Sequence, residues 1–189
     1  MYKLCKTEQS AQRQRQLEKG LLDMMLQRRY EDISVSDLCD YLDVPRKSFY
    51  RYFSSKEGAL YAMLDHSMMD FYTSRGNPVG ALNGSQVGDL NRYFAFWLER
   101  RDLLNALLRN NLGGTLVERA MDLSMREQLM PIYMKNMPKE LQYMALSFAV
   151  TGLLSMVIQW YNQGFKTSAE EMAHIAEGIL TRPLIQQDI

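Results

Sequence analysis

Between Val44 and Lys56 the sequence places Arg46, Lys47, Arg51 and Lys56 with no acidic residue among them, interleaved with Phe49, Tyr50, Tyr52 and Phe53. Cations that can donate to phosphate oxygens and base edges, held on a short segment by aromatic anchors, carry the chemistry of nucleic-acid recognition. Competing chemistry is not visible. His66 and His174 stand apart, without a cysteine or carboxylate cluster at metal-ligand spacing. Glu170-Glu171 follows Ser168 and reads as a helix cap rather than an acid–base pair. With neither a glycine-rich phosphate loop nor a nucleophile elbow, no catalytic residue, metal or cofactor is expected.

The cations need a scaffold, and the pattern supplies one. A first helix is predicted from about Ser10 to Arg28, with Leu17, Leu21, Met24, Met25 and Leu26 at helical spacing. Ser34 caps a short second helix, Val35 to Leu42, with Asp37 near the positive end of its dipole. Cys39 is small enough to let a third helix cross closely. That helix opens at Pro45 and runs to about Phe53, anchored by Val44 and Phe49. Two short helices joined by a tight turn, the second one basic, describe a helix-turn-helix. Ser54-Ser55 then caps a long fourth helix from Lys56 to about Ser74.

Gly76-Asn77-Pro78-Val79-Gly80, Asn83-Gly84-Ser85 and Gly88 mark a loop. After it, Leu90, Phe94, Trp97, Leu98, Leu103, Leu104, Leu107 and Leu108 fall on one or two helices. Gly113-Gly114 interrupts before another helical pattern through Val117, Met121 and Met125, ending or bending near Pro131. Pro138 opens a long helix to about Asn162, with Gly164 as its stop. Ser168 and Glu171 make a capping box for a last helix striped by Met172, Ile175, Ala176, Ile179 and Leu180, with Pro183 beyond its end. No segment alternates with period two. The expected fold is all-α, with about nine helices: a three-helix domain over residues 1–55 and a larger helical bundle over 56–189.

Composition is that of an ordinary globular chain, with 189 residues, 47% hydrophobic and 23% charged. Its 22 Lys+Arg balance 22 Asp+Glu, which excludes a uniformly basic nucleic-acid coat but leaves room for a local patch. Two cysteines, Cys5 and Cys39, make no disulfide framework and point to a reducing compartment. The first twenty residues hold no apolar run, so a signal peptide is not expected and a cytoplasmic location is.

Residues 9–64 resemble the TetR family of bacterial transcriptional regulators. The likeness rests on Ser34-Val35-Ser36-Asp37-Leu38-Cys39, on Val44, and on Ser48-Phe49-Tyr50-Arg51-Tyr52-Phe53-Ser54-Ser55-Lys56-Glu57. The resemblance implies that Tyr50, Lys56 and the Ser48 hydroxyl hold DNA phosphates, that Arg46 and Lys47 face the major groove, and that Ser34 caps the second helix, whose N-terminal amides can also meet a phosphate. Tyr52 is grouped with the DNA-facing residues, although Phe49 and Phe53 read as core and Tyr52 can be read either way. The chain departs from the family's pattern at Arg29 and Asp43, where glycine is usual, and at Pro45, where serine is usual. Asp43 can enter left-handed backbone space at modest cost.

From Leu141 to Tyr161 no residue is charged, long enough to span a bilayer. Lys135, Lys139 and Lys166 flank both ends, however, and Ser147, Thr151, Ser155 and Gln159 recur every four residues or so. A helix at the middle of a bundle fits better than a membrane span. Phe148-Ala149-Val150-Thr151-Gly152-Leu153-Leu154, Trp160 and Ser168-Ala169-Glu170-Glu171 are similar to a TetR subgroup that includes coregulator-like members associated with dihydroxyacetone kinase control. The resemblance implies a homodimer, with Thr151, Ser155, Gln159, Ile175 and Ile179 as interface candidates. It also implies a small-molecule effector site, for which Phe71, Phe94, Trp97, Tyr133, Met144 and Phe148 are the candidate lining. Fourteen methionines suit an adaptable apolar cavity, though such stripes also build ordinary cores. The expected function is a homodimeric repressor released from a near-palindromic operator by an apolar or aromatic ligand. The alternatives are a coregulator acting through a protein partner and, more remotely, an enzyme built on the same bundle.

Overall fold

A computed structural model describes residues 1–73, 86–127 and 135–181. Nine α-helices occupy the described residues: α1 (Glu8–Gln27), α2 (Val35–Tyr41), α3 (Arg46–Tyr52), α4 (Lys56–Thr73), α5 (Gln86–Glu99), α6 (Arg101–Arg109), α7 (Gly113–Arg126), α8 (Lys139–Asn162) and α9 (Ala169–Thr181). A 3-10 turn, Tyr30–Asp32, joins α1 to α2. The extended pairing among the described residues is one antiparallel bridge between Tyr2 and Phe53. The chain is all-α.

Local signals explain most boundaries. Thr7 caps α1 by accepting from the Ser10 amide, so the helix opens two residues before the predicted start. Ser34 and Asp37 form a full capping box on α2. Pro45 sits one position ahead of its expected place, as the N-cap of α3, with φ −62° and an extended ψ of 140°. Its ring satisfies the first angle and its missing hydroxyl leaves the helix start without a side-chain cap. Gly88 falls inside the first turn of α5 instead of the predicted loop, and Gly113-Gly114 forms the first turn of α7. The break before α7 is made by Asn111, whose φ is 57°. Gly164, at φ 71°, turns the chain after α8 as expected. The rest of the predicted loop, together with Pro131, Tyr133 and Pro183, lies outside the described residues.

The chain divides into two compact units. The first comprises Met1–Asp70 with Asn105–Ala120; the second comprises Phe71–Leu104 with Met121–Ile189. In the first unit the inner faces of α1 and α4 bury Leu17, Leu21, Met24, Leu60 and Leu64, and α2 and α3 add Leu38, Cys39 and Phe49. Asn110 ties this unit together by donating to the carbonyls of Met25 and Ala106. A buried carboxylate, Asp65, accepts two hydrogen bonds from Arg119, at 3.1 and 2.6 Å, and one from the Tyr2 hydroxyl at 2.7 Å.

In the second unit α9 packs along α5, and an aromatic cluster fills the interior. Phe94 meets Trp160 edge-on at 5.7 Å, and Trp160 meets Phe165 at 4.8 Å. The long uncharged helix does not lie enclosed at the centre as predicted: only 17% of its most apolar window is buried. Leu146, Leu154, Val157 and Trp160 point inward, while Leu141, Tyr143, Met144 and Phe148 are exposed. On α9 the buried face is Met172, Ala173 and Ala176; Ile175, Ile179 and Leu180, predicted to share it, are exposed.

Candidate nucleic-acid interface

Helix α3 is held from below by aromatic packing. Phe49 is fully buried, 5.1 Å from the Phe53 ring and 5.4 Å from the Tyr50 ring. The Val44 amide donates to the Cys39 carbonyl at 2.9 Å, closing the turn between α2 and α3. Asp43 takes the left-handed conformation in that turn, φ 51°, as its place in a position usually glycine implies. Seven residues of helix cannot hold themselves in water. Burial of Phe49, Tyr52 and Phe53 holds them instead, and this anchoring turns the opposite face of α3 to solvent.

On that face stand Arg46, Lys47, Tyr50 and Arg51, all exposed. None of the three cations forms an ion pair with the described residues. Burial pushes the Cys39 thiol upward, and the positive charge of Arg46 opposes that rise. Ser48 is half-buried beside them. These residues form one continuous donor surface, able to meet phosphate oxygens and the acceptors of a major groove.

Two predicted members of the site stand elsewhere. Tyr52 is only 5% exposed and packs in the core beneath α3. Lys56 directs its ammonium inward, 2.6 Å from the Tyr30 carbonyl, 2.7 Å from that of Ile33 and 3.4 Å from that of Glu31. Three donors meet three backbone acceptors, so this lysine closes the 3-10 turn before α2 and does not reach outward to a phosphate. At the neighbouring start of α4, the Ser55 hydroxyl accepts from the Gly58 amide. Ser34 is exposed, but its oxygen accepts from the Asp37 amide, and hydrogen bonds from Ser34 hold the Asp37 carboxyl below its ordinary range.

One further element borders α3. Residues 1–3 run antiparallel to the joint between α3 and α4: the Lys3 amide donates to the Tyr52 carbonyl at 2.9 Å, and the Ser54 amide donates to the Met1 carbonyl at 3.1 Å. Three residues are too few for an alternating pattern to be read from sequence. Likewise His66, isolated in sequence, sits with its Nδ1 2.8 Å from Glu18 across two helices.

The predicted effector residues separate. Phe71, Phe94 and Trp97 belong to the aromatic cluster of the second unit, where Phe71 lies 5.9 Å from Tyr93 and 5.1 Å from Phe96. Burial pushes the Tyr93 hydroxyl far up, and the buried Trp97 indole beside it makes no hydrogen bond of good geometry. Met144 and Phe148 are 65% and 60% exposed on α8, away from enclosure by this chain. They share the exposed face of the helix with Thr151, Ser155 and Gln159, a run that recurs at intervals of three and four residues. Among the described residues, no group of three His, Cys, Asp or Glu side chains comes together in a way that could hold a metal.

Comparisons with known proteins agree with this geometry. Residues 21–63 match the sequence family described as bacterial regulatory proteins, tetR family, and residues 89–182 match a transcriptional regulator C-terminal region of the same group. No curated protein sequence matches the chain. Among solved structures, a TetR transcriptional regulator from Streptococcus agalactiae is similar with a TM-score of 0.65 at 14% identity, covering 92% of this chain and 96% of that one. The fatty acid degradation regulator FadR from Bacillus halodurans is similar with a TM-score of 0.59 at 14% identity, covering 93% and 97%. The dihydroxyacetone kinase operon activator DhaS gives 0.58 at 16% identity, covering 89% and 93%. At these identities the structures share a fold.

Proposed function

We infer the function from a premise that the two family matches establish: the chain belongs to the tetR family of bacterial regulatory proteins. It is a transcriptional regulator, and we propose that it is a homodimeric repressor that binds a near-palindromic operator in the cytoplasm. The observation that carries this reading is the set Arg46, Lys47 and Arg51, exposed on an aromatic-anchored α3 and without acidic partners among the described residues. Two such helices in a symmetric pair would enter successive major grooves about 34–36 Å apart. Arg46 and Lys47 would read base edges, and the Ser48 and Tyr50 hydroxyls would hold phosphates.

The exposed apolar face of α8 and α9 supports the symmetric pair. Phe148, Thr151, Ser155, Gln159, Ile175 and Ile179 would meet their copies in the partner, and the stripe of small side chains permits close helix approach. A second copy accounts for this surface better than a membrane does, because α9 contributes to it while remaining a short amphipathic helix.

For the effector we propose an apolar or aromatic molecule bound at the cluster of Phe71, Phe94 and Trp97. It would release DNA only as far as it prefers a dimer whose recognition helices are mis-spaced. Footprinting on the promoter region beside its own gene tests the reading. Sequence-specific protection that is lost in the double variant Lys47→Ala, Tyr50→Phe supports it. A tight protein partner without DNA protection would replace it with the coregulator reading.

A further inference from the structure

The charged residues of the first unit sort into two groups. Arg15, Lys19, Arg28, Arg29 and Arg119 all have acidic partners, Lys56 is held by carbonyls, and Arg109 closes the C-terminal turn of α6, where the dipole favours a cation. Lys3, Lys6, Arg13, Arg46, Lys47 and Arg51 have no acidic partner among the described residues, and all six are exposed. Half of this second group is the donor surface of α3. The other half comes from the N-terminal segment and the first turns of α1.

Geometry brings the two halves together. The Lys3 amide is bonded to the carbonyl of Tyr52, the last residue of α3. Tyr2 points inward to Asp65, so alternation along the extended segment turns Lys3 outward, in agreement with its exposure. Gln14, buried, holds the segment by donating to the Lys3 carbonyl at 3.2 Å while accepting from the Cys5 thiol. Arg13 lines one surface cleft with Val44, Ser48 and Tyr52, and so stands on the flank of α3. Lys3 and Arg13 thus stand beside a helix whose own cations lack acidic partners among the described residues, a charge pattern that a polyanion relieves.

We propose that Lys3 and Arg13 grip the sugar–phosphate backbone of the duplex beside α3, as a second contact strip that widens the footprint without reading sequence. This rests on the DNA-binding reading above. Neither residue lies on α3, the helix assigned to base edges, so their contribution is the salt-dependent one of phosphate contacts.

The test is binding of the full chain to a mixed-sequence 30-base-pair duplex, followed by fluorescence anisotropy across a salt series. Each of Lys3→Gln and Arg13→Gln should lower the slope of log Kobs against log salt by about 0.9 and weaken binding at 0.1 M salt on the order of tenfold. Lys19→Gln, which removes an exposed cation paired with Asp23, should leave the slope at the wild-type value. Wild-type slopes in both Lys3→Gln and Arg13→Gln would overturn this inference alone. A wild-type chain that ignores the duplex at every salt concentration would overturn the DNA-binding reading with it.

Discussion

The Lys56 ammonium lies 2.6 Å from the carbonyl oxygen of Tyr30, and the ring of the same tyrosine sits 4.2 Å from it. One residue thus receives the lysine twice, through its backbone and through its π face. Lys56→Met should lower stability by about 2 kcal/mol, since charged hydrogen bonds and a cation–π contact are lost together. It should weaken DNA binding without changing the salt slope. Thermal melts and a salt series measure the two effects, and a slope reduced by about one would return Lys56 to the phosphate contacts.

Asp65 is 1% exposed, and Arg119 supplies two of its hydrogen bonds. Arg119→Met takes from this buried carboxylate the cation that compensates its charge. We expect a loss of about 3–5 kcal/mol, whereas a double change to Asp65→Leu and Arg119→Met should recover much of it. Urea unfolding of the three chains checks the comparison.

The Asp37 carboxyl is held below its ordinary value, first by its hydrogen bonds with Ser34 and then by the nearby Arg28. A depressed carboxylate stabilises the fold above its unfolded-state pKa and loses that contribution as pH falls through the folded value. The melting-temperature difference between wild type and Asp37→Asn should therefore be constant near neutrality and shrink in acid. Calorimetry from pH 7 to pH 2.5 follows it, and a difference that grows in acid would contradict the sign.

Phe148 is 60% exposed on α8 within one chain. If two copies cover that face, Phe148→Glu places like charges at the centre of the pair and should yield a monomer at micromolar concentration. Light scattering reads the result directly. A dimer that persists with Phe148→Glu and with Ser155→Arg would place the interface elsewhere.

The helices and caps were legible because they rest on local rules. Ser34 with Asp37 and Ser168 with Glu171 marked the starts of α2 and α9, and both boxes form. Asp43 announced a left-handed turn. What stayed hidden depended on contacts distant in sequence. Lys56 reads as a free cation until Tyr30 is placed beneath it, 26 residues away. Tyr2 reads as a stray aromatic until Asp65 arrives from 63 residues away. The uncharged run of α8 was plain in composition, but composition does not say whether an apolar face is covered by its own chain; Met144 and Phe148 were assigned inward for that reason and are exposed.

The Met1 carbonyl accepts from both the Ser54 amide and its hydroxyl, and a side-chain carbon added at Gly58 would come within 2.6 Å of it. Anything fused upstream of Met1 therefore leaves the molecule next to the end of the reading helix. If α3 contacts DNA as proposed, an affinity tag placed there would crowd the duplex and be mistaken for weak binding.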